Sequence, residues 1–191
     1  MLNWTVNEFK EKILKGQSIP EALENILQNQ CCLETLESEL EFELIEEGRI
    51  EEEISHTYIK PEQRKDKAIS ANIFAINKVF EYITFFAEAE NGMLLGYWHG
   101  TENLNILKAP LVSYDTEGQF ELYSSNRIIE ELALRWTCEE EEEYEELQNE
   151  FSKCNVKIAD IGSNLGNIET KSNPAKMHDE LYKNKLEELK N

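Results

Sequence analysis

The sequence predicts an α+β fold: an antiparallel sheet of four or more strands in a meander, wrapped by N-terminal and C-terminal helices. Three observations predict it. Two runs, Ile83–Ala89 and Met93–Trp98, are apolar or rich in β-branched and aromatic residues, and Asn91–Gly92 between them supplies the positive φ angles of a type I′ hairpin. A second pair, Pro110–Tyr114 and Gln119–Tyr123, flanks the turn Asp115–Gly118. Helical periodicity stands on both sides of these four runs, so helices are available to cover the sheet.

Taken in order, the chain opens on a helix. Thr5 and Glu8 match a capping box, Trp4 can staple onto Phe9, and Val6, Phe9 and Ile13 line one face up to a stop at Gly16. Ser18 with Glu21 matches a second box, before a helix burying Ala22, Leu23, Ile26 and Leu27. Leu40, Phe42 and Leu44 alternate with glutamates, the period of a half-buried strand, so a strand is expected at 39–45 although glutamate favours helices. Residues 60–67 read as loop, and Ser70 is expected to cap a helix carrying Ile73, Phe74, Ile76, Asn77 and Phe80.

Beyond the four strands, Ser125 or Asn126 is expected to cap a helix with Ile129, Leu132, Ala133 and Trp136 on its inner face. Thr137 and Glu140 match another box, opening an acidic helix at about 138–153. Residues 163–173 read as a linker. Asn173 and Pro174 then start a terminal helix with Met177, Leu181 and Leu189 on one side.

Charge narrows the function. The chain has 191 residues, with 39 Asp and Glu against 19 Lys and Arg, a net charge of −20. Such a surface repels phosphates, which excludes nucleic acid, and it disfavours an anionic membrane. A basic partner protein fits it, and so does simple solvation of helices. The start MLNWTVNEFK has no basic segment followed by an apolar core, so no secretory signal is expected and the cytoplasm is the expected location. Of the four cysteines, Cys31 and Cys32 are adjacent and no CxxC pair occurs; reduced thiols are expected.

Candidate chemistry is sparse. His56, His99 and His178 lack partners at metal-ligand spacing, and no phosphate loop, dinucleotide fingerprint or nucleophile elbow is present. No cofactor, no metal and no catalytic residue is expected. Asp115 and Glu117 flank a turn, where an acid–base pair and a turn-forming aspartate are alternative readings. Trp98 and His99 close a strand, and an aromatic ring there can pack in the core or anchor an interface. Glu139, Glu140, Glu142 and Glu143 belong to a run of seven glutamates within residues 139–146. With ten more acids in 34–53, 17 of the 39 lie in two short segments. These eight residues are the candidate partner-binding set.

The stretch 69–136 resembles the SUKH superfamily, the group that contains the fungal cell-wall assembly regulator. The likeness rests on FFAEAENGMLLGYWHG at 85–100, APLVSYDTEGQFELYSSN at 109–126, the helix before the sheet, and the order hairpin, strand, acidic turn, strand, covering helix. It implies an α+β domain, and the chain is read as that SUKH-like domain with an N-terminal helical extension over residues 1–136, followed by an acidic helix, polar loop and terminal helix over 137–191 that the likeness does not cover. It also implies a non-catalytic protein-binding module, similar to immunity proteins that neutralise a basic, nuclease-type toxin. The alternative it offers is a regulatory scaffold that binds host proteins.

Overall fold

The computed structural model describes residues 4–89, 91–138 and 140–191. Among them the order is α1 (Val6–Lys12), α2 (Glu21–Gln28), α3 (Gln30–Leu40), β1 (Glu43–Leu44), α4 (Arg49–Ser55), α5 (Lys67–Phe80), β2 (Ile83–Ala89), β3 (Met93–Trp98), β4 (Leu111–Tyr114), β5 (Phe120–Leu122), α6 (Ile128–Trp136), α7 (Glu141–Lys153) and α8 (Pro174–Lys190). The five strands form one antiparallel meander in sequence order. The fold is α+β, as the hairpin signals indicate.

Local rules explain several elements directly. Thr5 and Glu8 form the reciprocal capping box, and the Trp4 and Phe9 rings meet edge to face at 5.6 Å. Asn91 and Gly92 take φ of 60° and 86°, which turns β2 into β3. Asn173 accepts from the Lys176 amide with Pro174 in the first turn of α8.

Elsewhere competing interactions correct the expectation. The strand expected at 39–45 is confined to Glu43–Leu44, because Leu36 and Leu40 continue the buried stripe of α3 until Glu41 ends it in a left-handed conformation. The alternation itself survives, with Leu40, Phe42 and Leu44 buried. Pro20, not Ser18, is the residue that precedes α2, and no side chain caps the helix there. Asp66 caps α5 by accepting from the Ala68 and Ile69 amides, and the Ser70 hydroxyl donates to the Arg64 carbonyl instead. The Ser125 hydroxyl accepts from the Arg127 amide, so α6 starts at Ile128. The Thr137 hydroxyl turns back onto the Ala133 carbonyl, leaving α7 to begin after Glu140 without a side-chain cap.

The expectation of reduced thiols is also overturned. Cys31, one residue into α3, is disulfide-bonded to Cys154 at the end of α7, 123 residues away. Cys32 is a buried free thiol and Cys138 an exposed one. The helical faces of α3 and α7 meet there, a tertiary juxtaposition that cysteine spacing does not encode.

One core joins these elements. Phe80 of α5 packs on Phe85, Tyr114 and Phe120 of the sheet with ring centroids 4.7, 4.9 and 6.0 Å away, while Phe86 and Tyr97 stack at 4.8 Å. Residues 137–191 fold back onto the rest: α7 lies against α3 and α6, and α8 runs along α5 and reaches β5. Lys185 sits over the Phe74 ring, and His178 Nε2 bonds Asn72 Oδ1 at 2.9 Å across that seam.

Candidate functional site

Trp98 and His99 occupy the end of β3, where both are used internally. Trp98 is fully buried, so its ring presents no surface to a partner; its Nε1 donates to the Ser172 carbonyl at 3.0 Å. His99 Nδ1 donates to the Leu104 carbonyl at 2.8 Å, and Nε2 then faces the Thr84 hydroxyl at 2.8 Å. One ring nitrogen thus closes the loop after β3 and the other ties its start to β2.

Asp115 holds the β4–β5 turn. Its Oδ1 accepts from the Glu117 and Gln119 amides at 3.0 and 2.8 Å, the turn-forming role of an aspartate. Glu117 is exposed beside a second concavity of about 460 Å³, lined among others by His56, Tyr58, Ile73, Tyr114 and Tyr182. Buried His56 bridges Tyr58 Oη at 3.1 Å and Asn77 Oδ1 at 2.8 Å. Burial and the Glu53 charge push the Tyr58 phenol up, which favours the neutral hydroxyl over a phenolate.

The acidic residues come together at α7. Glu140 precedes the helix, Glu142 and Glu143 are exposed in its first turn, and Glu139 lies outside the described residues. Tyr144, Leu147 and Phe151 are buried along α7, which turns the intervening glutamates outward. The acidic first turn is favourable at the positive end of the helix dipole, while glutamates four apart farther along repel one another.

Beside this helix lies a cleft of about 590 Å³, lined by Glu39 of α3, Trp136 and Thr137 at the end of α6, and Glu143, Glu146, Leu147, Asn149 and Glu150 of α7. Four carboxylates therefore share the cleft with an indole that is 39% exposed. Among the described residues no lysine or arginine lines the cleft; Lys153 pairs with Glu150 from outside it. Among the described residues, only Glu143 of the sequence candidates lines the cleft; Asp115 and Glu117 belong to the other concavity or its turn.

Trp136, Glu39, Glu146 and Glu150 lie outside the partner-binding set read from the sequence, although Glu146 belongs to its run of seven glutamates. Trp136 shares the period of Leu132 and Ala133 and reads as core. It sits on the last residue of α6, where the chain turns away and leaves the ring half-covered. No sequence signal joins Glu39 to α7.

Among the described residues, no group of three or more His, Cys, Asp or Glu side chains is arranged to hold a metal ion, and no helix is long and apolar enough to cross a membrane. No family model, curated protein or solved structure matches the chain.

Proposed function

We propose that this chain is a non-catalytic module of the cytoplasm that binds a basic protein, and that it works as immunity proteins do, by occupying a toxin's cationic surface. One observation carries the reading: an exposed tryptophan and four carboxylates line one cleft formed by α3, the end of α6 and α7. A tryptophan face attracts an arginine or lysine side chain by about 0.5–2 kcal/mol, more when the pair is desolvated. Tryptophan is also the residue type most enriched among interface anchors. The surrounding carboxylates, within a chain of net charge −20, draw a cationic partner in and accelerate its capture. The SUKH-like hairpin region supports the same reading.

Affinity purification tests it. Tagged wild-type protein and a variant with Glu39, Glu143, Glu146 and Glu150 changed to glutamine are applied to lysate from the native cell, at low and moderate salt. A single basic protein that wild type retains, salt releases and the variant loses supports the proposal. Equal recovery of that protein by both forms removes the cleft from the account.

A further inference from the structure

The two helices joined by the disulfide also supply the carboxylates of the acidic cleft. Cys31 lies near the start of α3 and Cys154 caps the end of α7, while Glu39 lies at the other end of α3 and Glu143 in the first turn of α7. The two helices are therefore side by side and antiparallel. They are covalently joined at one end, and on α3 the cleft's Glu39 stands about 12 Å farther along, eight residues at 1.5 Å each.

We infer that the Cys31–Cys154 disulfide is a redox clasp that keeps the cleft in its binding shape, so that reduction weakens capture of a cationic partner. This rests on the proposed binding at the cleft. The motive force is electrostatic. Glu39 on α3 lines the same cleft as Glu143, Glu146 and Glu150 on α7, so like charges on the two helices disfavour their approach. Opposing that push are the disulfide, the buried residues Tyr144, Leu147 and Phe151, and the Asn29 side chain, which caps α3 and donates to the Cys154 carbonyl at 3.0 Å. Removing the covalent member leaves α7 folded on its apolar face and freer to move away from α3.

The chemistry is available. A dithiol reductant attacks the sulfur of the exposed Cys31, forming a mixed disulfide and releasing Cys154 as a thiolate, which then takes up a proton. The reductant's second thiol displaces Cys31 as a thiol, and the reductant leaves as its own disulfide: two electrons and two protons have passed to the protein. The Thr35 hydroxyl stands 3.3 Å from the departing Cys154 sulfur. Cys32 does not compete for the bond. It is buried on the adjacent position of α3, where desolvation pushes its thiol up to about 11 and keeps it protonated. A disulfide in a reducing compartment is expected to be of this transient, sensing kind.

The test compares oxidised protein, the same protein reduced by a phosphine, and Cys31→Ser, whose substitution is at an exposed site. Hydrogen exchange is followed by mass spectrometry, and binding of a short arginine–serine peptide by calorimetry. Expected is exchange over residues 141–153 that accelerates in both unbridged forms by more than exchange in β2 and β3, and peptide affinity lower by about tenfold. Linkage then requires saturating peptide to make the disulfide about 30 mV harder to reduce. Equal exchange and equal affinity in all forms overturn the clasp and leave cleft binding standing. Faster exchange with no peptide bound by any form supports the clasp's hold on α7 and overturns the binding reading. Should Cys31→Ser fail to fold, the reduced wild type carries the comparison.

Discussion

The indole of Trp98 donates a hydrogen bond to the main-chain carbonyl of Ser172 at 3.0 Å, across 74 residues of sequence. Around this bond the segment before α8 is fastened to the loop after β3. The Lys171 amide and Ser172 hydroxyl donate to Glu102, and the Thr101 amide donates to Ser172 Oγ. The most conspicuous aromatic residue of the hairpin is thus a fastening for the C-terminal third.

Trp98→Phe keeps an apolar ring and removes the donor. The Ser172 carbonyl retains the Thr170 hydroxyl as a second partner, so the expected loss is moderate, about 1–3 kcal/mol from the missing bond and the smaller ring together. Urea unfolding followed by circular dichroism reads it. Limited proteolysis should show faster cutting within 159–173; an unchanged digestion pattern would contradict the fastening.

Breaking the disulfide has a global cost as well as the local one. It closes a loop of 123 residues, and removing such a link destabilises a domain by about 2–5 kcal/mol. Cys31→Ser should therefore unfold at lower urea than the oxidised wild type, and at nearly the same urea as the reduced wild type. If all three midpoints coincide, the link does not contribute to stability.

Gly96 sits in the central strand opposite Phe85, where the register shifts between Phe85 and Ala87. A Cβ there would lie 2.6 Å from the Ile83 side chain and 3.0 Å from the Thr84 carbonyl. Gly96→Ala must push β2 away or distort the irregularity, at about 1–3 kcal/mol. Thermal unfolding of the variant measures this, and a melting temperature equal to wild type would show that the strand gives way freely.

His178 gives stability a pH dependence. Burial between α8 and the sheet holds its imidazole below the usual histidine value, against an upward pull from Asp179. The unfolded chain therefore binds the proton more readily than the folded one. Its contribution is fully present above about pH 6.5 and is lost as pH falls below that value towards the folded pKa. His178→Gln, which can still donate to Asn72, should flatten the stability profile between pH 7 and 5. A profile identical to wild type would assign the dependence to other groups.

The sheet was legible because hairpins are specified locally: Asn91–Gly92 and Asp115–Gly118 carry their turn chemistry in a few residues. Caps were legible where no third group intervened, as at Thr5 and Asn173, and were misplaced where a serine or threonine found a nearer acceptor, as Thr137 did in the Ala133 carbonyl. The cleft is a different matter. Glu143 was visible as part of a charged run, but Trp136 has the spacing of a core residue, and Glu39 and Cys31 reach α7 only through tertiary packing. Pattern along one helix cannot say which other helix will lie beside it.

The most direct test of cleft binding is the tryptophan emission of oxidised protein titrated with an arginine–serine peptide, set against Trp136→Phe. The account predicts a saturable change in emission that salt weakens, that is absent in Trp136→Phe, and that vanishes when Glu39, Glu143, Glu146 and Glu150 are made glutamine. An unaltered Trp136 signal under peptide concentrations that saturate the protein, as judged by calorimetry, would place cation binding elsewhere and contradict the central claim.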